Sequence, residues 1–370
     1  MVSSSFLPGR GGIESYLEEL CDDLAPSLAV LAAGEREGMK LPSDLGYPVH
    51  PFPGRLLLPG RKALAAVVSA ARAEDTTKIL FGTPWPLVLL GPRLARRRLR
   101  YSVIVHGAEM LVPSVVPGVG RALARALAGA ELLLPVSEYT ATSLVAFLKK
   151  RRMREPPMEI LRARVGLDRF RPDADTSGVK PSLGLAPEDR IILCFGRLVP
   201  RKGVDRLIEA LPDIRRRVPR AVVVVAGTGP EMGRLERMAT ASALPVVFAG
   251  RVPEGEAPAV YAAADVFALP VVDRWFGLEI EGLGVVLLEA AAAGTPAVTG
   301  RSGGTPEAVL DGITGFVVDA RDRAALVDRI CRLLEDPELA RRMGKAGREH
   351  VEVHFSDKVM PKAFVDWLKS

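Results

Sequence analysis

The chain has 370 residues, long for one ordinary hydrophobic core and suited to two domains. With 48% hydrophobic and 25% charged residues, and no apolar run near the roughly 20 residues of a membrane span, the composition is that of a soluble globular protein. The net charge of +6 is uneven: residues 1–172 carry 24 Lys and Arg against 16 Asp and Glu, residues 173–370 carry 26 against 28, and the basic part is expected to meet an anionic partner.

The opening MVSSSFLPGRGG has no basic segment followed by an apolar one, so a cytoplasmic location is expected. Only Met1 and Val2 precede it as strand material, which makes the first strand either short or clipped. Pro8 to Tyr16 is a glycine-rich turn running into a helix with Ile13, Leu17, Leu20 and Leu24 on one face, where free N–H groups suit a phosphate. Apolar strands then alternate with helical stretches: strands at 28–33, 49–52, 78–82, 101–106 and 131–136, with helices over 61–72, 86–98 and 119–128. A second series starts at Arg190. Its strands are expected at 191–196, 221–227, 246–249, 265–270 and 297–299, and its helices at 204–218, 231–243, 257–264 and 285–293. Alternation of this kind implies an α/β fold of two Rossmann-like, doubly wound parallel-sheet domains, at 1–172 and 173–356, with ligands at the carboxyl ends of the strands in the cleft between them. The closing segment 357–370 reads as a helix, with the sequence leaving open whether it packs back on the first domain.

Two basic clusters, Arg93 to Arg100 and Lys149 to Arg154, lie in the first part. Aromatic residues are 5% of the chain and none falls inside these clusters, so base stacking is poorly served and a membrane surface is preferred to nucleic acid; solvated helix faces are the plain alternative. Cys21, Cys194 and Cys331 lack CxxC spacing and are expected in the core rather than in disulfides or a metal site.

The stretch Gly277 to Pro296 places Glu281 and Glu289 eight residues apart, with Gly282 and Gly284 loosening the backbone between them. A helix starting near Gly284 lets both carboxylates face one ligand. Gly196 to Gly203 follows a strand and puts Arg197, Arg201 and Lys202 at its end, a mixture of planar fork and compact charge that suits a diphosphate; a basic surface loop is the alternative. Gly227-Thr-Gly-Pro is read as a turn without direct phosphate contact. Ser302-Gly-Gly-Thr-Pro-Glu307 is either a phosphate-friendly turn or a tight connection. His106, followed by Gly-Ala-Glu109, ends an apolar strand, where a structural role is commoner than a catalytic one. The sequence carries no HExxH, P-loop or GxSxG.

The order of these motifs, with EGLGVVLLEAAAAGTP and SGGTPEAVLDGITG, resembles glycosyltransferase family 4, retaining transferases of the GT-B fold, over nearly the whole chain. GRLVPRKG and EGLGVVLLEA look closest to actinobacterial GDP-mannose-dependent phosphatidylinositol (mannoside) mannosyltransferases. The resemblance implies that Arg197 and Lys202 hold the donor diphosphate, Glu289 the ribose, and Glu281 with the Leu283 and Gly284 amides the sugar hydroxyls. Gly11 and Gly12 would close over the diphosphate, and His106 would touch the sugar near the reacting carbon. It further implies front-face transfer of mannose from GDP-mannose to an inositol-lipid acceptor, with no cofactor or metal, at the inner face of the plasma membrane. The rivals are a related enzyme using a UDP-sugar and a catalytically silent sugar-nucleotide binder. Trp275 and Phe276 stand where small, glycine-rich residues are expected in such relatives.

Overall fold

A computed structural model describes residues 1–7, 12–36, 39–40, 45–53, 57–107, 116, 118–277, 279–356 and 360–370. They fall into two compact units, residues 1–163 with 360–370, and residues 164–359. The division by packing thus comes at 163/164, where the sequence reading placed it at 172/173. Residues from Arg164 onward join the second unit because the Val165 N–H donates to the Phe355 carbonyl and Phe170 packs edge-on against Tyr261.

The first unit contains β1 (Val30–Ala33), β2 (Glu35–Arg36), β3 (Met39–Lys40), β4 (Val49–Phe52), β5 (Lys78–Phe81), β6 (Arg100–Val105) and β7 (Leu132–Pro135). β1 pairs with β4 and β5–β6–β7 form a run, all parallel; β2 and β3 make a small antiparallel hairpin. Val2 bridges the two parallel pieces, in parallel register with both Leu31 and Phe81. Its N–H donates to the Leu80 carbonyl and its own carbonyl accepts from Gly82. Val2 is thus a single bridging residue between β1 and β5. Helices Gly12–Leu24, Arg61–Ala73, Val119–Ala128 and Glu138–Lys150 accompany it. The helix expected over 86–98 is instead a 3₁₀ turn, Leu87–Leu90, followed by a short helix, Gly91–Ala95. Pro92, lacking an N–H, is accommodated in the first turn of that second piece.

The closing helix, Lys362–Lys369, packs on the first unit. Phe364 and Trp367 are buried, the Trp367 indole N–H donates to Glu131, and Lys78 donates to the Leu368 carbonyl.

The second unit holds β8 (Arg190–Phe195), β9 (Ala221–Ala226), β10 (Val246–Gly250), β11 (Val266–Leu269), β12 (Ala297–Gly300) and β13 (Gly315–Val318) in the spatial order β10-β9-β8-β11-β12-β13. Every pairing is parallel. β9, Ala-Val-Val-Val-Val-Ala, is buried along its whole length, the pattern of a strand covered on both faces. Helix Val204–Arg217 buries Leu207, Ile208, Leu211 and Ile214, with Asp205 in its first turn and Arg215 to Arg217 in its last, each complementing the helix dipole. β13 was not foreseen: Gly-Phe-Val-Val is a brief run whose first residues, Gly315 and Phe316, read as the end of a turn that opens at Asp311. Cys21, Cys194 and Cys331 are free and buried. No described helix is long and apolar enough to cross a membrane.

The sheet order reverses between β8 and β11, so the loops after these two strands part at their carboxyl ends and leave a crevice there.

Candidate active site

Both flanks of that crevice carry charge. β8 ends at Phe195, and the chain passes through Gly196, Arg197 and Leu198 into a 3₁₀ turn, Pro200–Lys202. β11 ends at Leu269, and its loop reaches Glu279 and Glu281 before helix Val285–Ala292. Lys202 Nζ lies 3.0 Å from Glu281 Oε2, and Arg201 Nε lies 3.4 Å from the same oxygen. Burial pushes the Glu281 carboxyl up, but the Lys202 and Arg201 cations outweigh it and hold the group below the usual glutamate range. The Glu281 N–H donates to Ser302 Oγ at 3.0 Å, and that hydroxyl donates to Asp273 at 2.5 Å. A charged, hydrogen-bonded centre is thus assembled from three separate loops of one sheet.

Arg197 is exposed and has no ion pair among the described residues, in contrast to buried Lys202. Arg201, which the sequence reading left out of its assigned roles, is the residue that shares Glu281 with Lys202. Its place at the end of β8 with Arg197 and Lys202 made it a candidate for a diphosphate, but neither composition nor period shows that its side chain turns back on Glu281.

Glu289 lies within the helix that Gly284 opens in a left-handed conformation, φ 85°. Leu283 is buried, and the backbone N–H groups of Leu283 and Gly284 have no partner among the described residues. The Tyr261 hydroxyl donates to Glu289 Oε2 at 2.5 Å. Burial raises the Glu289 carboxyl above its ordinary range, and the Tyr261 hydrogen bond and the Arg169 and Lys202 charges only partly oppose this. Tyr261 is fully buried and stacks on Phe195, ring centroids 4.9 Å apart. It was missed in the sequence, where it is one tyrosine in the helix Ala257–Ala262. Only the fold brings that helix beside Glu289.

The glycine turns serve the protein's own backbone. A Cβ at Gly227 would stand 1.9 Å from the Gly196 carbonyl oxygen, and one at Gly303 would stand 1.9 Å from that of Glu281. The Gly227 turn therefore braces the Arg197 loop. Gly303 and Gly304 let the chain pack against residues 281 and 282, as a tight connection requires.

In the first unit, His106 follows β6 and is buried; its Nε2–H donates to the Gly82 carbonyl at 3.0 Å, which places a proton on that nitrogen. Its ring meets Tyr16 edge-on at 5.2 Å. Gly12 opens helix Gly12–Leu24, whereas Gly11 and Glu109 lie outside the described residues. Trp275 projects from the loop after β11 and is 67% exposed, while the side chain of Phe276 lies outside the described residues.

The model of glycosyl transferases group 1 matches residues 177–350. An enzyme of Mycolicibacterium smegmatis, GDP-mannose-dependent alpha-(1-6)-phosphatidylinositol monomannoside mannosyltransferase, is 40% identical over 358 residues, 94% of this chain and 92% of its own. The chain belongs to the glycosyl transferases group 1 family. A Mycobacterium tuberculosis enzyme of the same name is 36% identical over 100% of this chain and 97% of its own. A Corynebacterium glutamicum enzyme, named for the monoacylated form of that lipid, is 34% identical over the same shares. Among solved structures, HepE of Anabaena in complex with UDP and glucose superposes with a TM-score of 0.84 at 19% identity, covering 100% of this chain and 98% of that one. Sucrose-phosphate synthase of Thermosynechococcus elongatus superposes at 0.77 with 21% identity over 96% and 94%. This member of the glycosyl transferases group 1 family is thus a glycosyltransferase of the GT-B class, with two Rossmann-like units, and the resemblance read from its motifs holds along its length.

Proposed function

We propose that the protein transfers mannose from GDP-mannose to a hydroxyl of a phosphatidylinositol mannoside-type lipid, with retention of configuration. The observation that carries this reading is near full-length identity to enzymes named for that donor and lipid. The second unit agrees with it, because cations gather where a donor diphosphate would accumulate charge. Lys202, Arg201 and Arg197 take the departing diphosphate; Glu281 and the Leu283 and Gly284 amides hold the sugar hydroxyls; Glu289, steadied by Tyr261, takes the ribose. The bond from the anomeric carbon to the diphosphate breaks as the bond to the acceptor oxygen forms on the same face, and the leaving phosphate oxygen receives the acceptor's proton. No protein nucleophile or metal is invoked, since fixed positive charge offsets the developing negative charge. His106 is assigned to the sugar, and Gly11 and Gly12 to the diphosphate.

The acceptor side of the reading places the enzyme peripherally on the inner face of the plasma membrane. Its support is a groove of about 480 Å³ in the first unit, where Arg61, Arg72 and Arg97 surround Leu64, Ala65 and Val68. None of these arginines has an ion-pair partner among the described residues, although Arg97 Nη1 donates to the Arg93 carbonyl at 3.0 Å, and an apolar floor rimmed by guanidinium charge suits anionic lipid. No nucleic acid partner is proposed.

Calorimetry and nucleotide release with GDP-mannose, UDP-glucose and UDP-N-acetylglucosamine test the reading. Preference for GDP-mannose supports it. Preference for a UDP-sugar keeps the site and discards the mannoside assignment, and binding of none favours the catalytically silent rival.

A further inference from the structure

Beyond Glu281 the charges continue outward in alternation. Arg201 Nη1 is 3.6 Å from Glu279 Oε1, and Arg274 Nη1 is 3.5 Å from Glu279 Oε2. Arg274 in turn sits over the Trp275 ring, 5.8 Å from its centroid. Side-chain exposure rises along this line, from 10% at Lys202 and Glu281 to 28% at Arg201, 29% at Glu279 and 33% at Arg274. The backbone fixes the outer end: Arg274 and Glu279 exchange N–H donors and carbonyls at 2.9 and 3.1 Å, closing the hairpin that carries Trp275.

A guanidinium has three nitrogens, and here two are committed. Nε lies 3.4 Å from Glu281 and Nη1 lies 3.6 Å from Glu279, while Nη2 makes no hydrogen bond among the described residues. Carboxylates beside two corners restrain the plane of the fork more than one carboxylate would. We propose that Glu279 is a positioning residue for the transfer reaction, holding Arg201 so that Nη2 is the corner presented to the donor diphosphate. The inference rests on the reading of this loop as the nucleotide-sugar site. The role of Glu279 is exerted through Arg201, and its anchorage in a closed hairpin lets it restrain the arginine.

The test compares wild type with Glu279→Gln, Arg201→Lys and the double variant, measuring steady-state turnover of GDP-mannose and calorimetric binding of GDP, with UDP as the second probe. Glu279→Gln keeps the shape and removes the charge. Turnover is expected to fall roughly tenfold or more, because a misplaced charge costs the transition state more than the ground state. GDP is expected to bind as tightly as before or more tightly, since a negative charge beside the diphosphate is gone. On the Arg201→Lys background, which has no fork to orient, the same substitution is expected to cost less than about twofold. Turnover of Glu279→Gln within about twofold of wild type, nucleotide binding weakened in step with turnover, or an undiminished loss in the double variant overturns the inference. If the wild type binds neither GDP nor UDP, the donor-site reading fails and the inference with it. If the wild type binds a nucleotide and Glu279→Gln matches it throughout, the inference alone fails.

Discussion

Lys202 Nζ stands 3.0 Å from Glu281 Oε2, and both side chains are nine-tenths buried. A pair so shielded loses much of its hydration, and its partners depend on one another. Lys202→Met, which keeps length and discards charge, leaves Glu281 with Arg201 alone. Urea denaturation should show a loss of about 3 kcal/mol, near the lower end for breaking a buried pair. Turnover should fall by orders of magnitude. Unchanged turnover would remove Lys202 from the chemistry.

Acid titration should separate the two carboxylates by sign. The folded value of Glu281 is depressed below 4.5, so its contribution is present above 4.5 and lost as pH falls through that lower value. Glu289 is raised above 4.5, so its contribution is greatest below 4.5 and lost as pH rises through the raised folded value. Urea midpoints from pH 7 down to pH 3 should therefore fall less steeply in Glu281→Gln than in wild type. Glu289→Gln should raise the midpoint near neutral pH while weakening nucleotide binding. A lowered midpoint for Glu289→Gln at neutral pH would show that the charged form is stabilised in the fold.

Tyr261 supplies a hydrogen bond to Glu289 from a fully buried ring. Phenylalanine retains the stacking on Phe195 and removes only the donor. The expected cost of leaving a charged acceptor short of a partner is about 1–3 kcal/mol. It should appear as a higher KM for the nucleotide sugar with kcat little changed, because Glu289 is assigned to the ribose and not to the reacting carbon. A fall in kcat at constant KM would contradict that assignment.

Replacing Arg61, Arg72 and Arg97 together by alanine should weaken sedimentation with anionic vesicles at low salt by roughly 1 kcal/mol per arginine. Neutral vesicles should be unaffected, and added salt should shrink the difference. Donor hydrolysis in solution should persist, since these residues line a groove of the first unit and none belongs to the charged centre on β8 and β11. Equal vesicle binding by wild type and variant would leave this face without a role at membranes.

Periodicity in the sequence carried most of the fold, because a buried parallel strand such as β9 needs an uninterrupted β-branched run and a covering helix such as Val204–Arg217 needs an apolar stripe. Glu281, Glu289, Lys202, Arg201 and Arg197 were legible as candidates because loops at strand ends concentrate unusual charge among glycines. β13 and the divided helix near Gly91 were not, since short elements depend on neighbours rather than on local pattern. The partners of the charged centre likewise came only from tertiary structure. Arg201 belongs with Glu281 across 80 residues of chain and Tyr261 with Glu289 across 28, distances over which spacing holds no information. The sequence determined which groups were present and on which kind of element; the order of strands in the sheet decided which charges met and how each carboxylate was held.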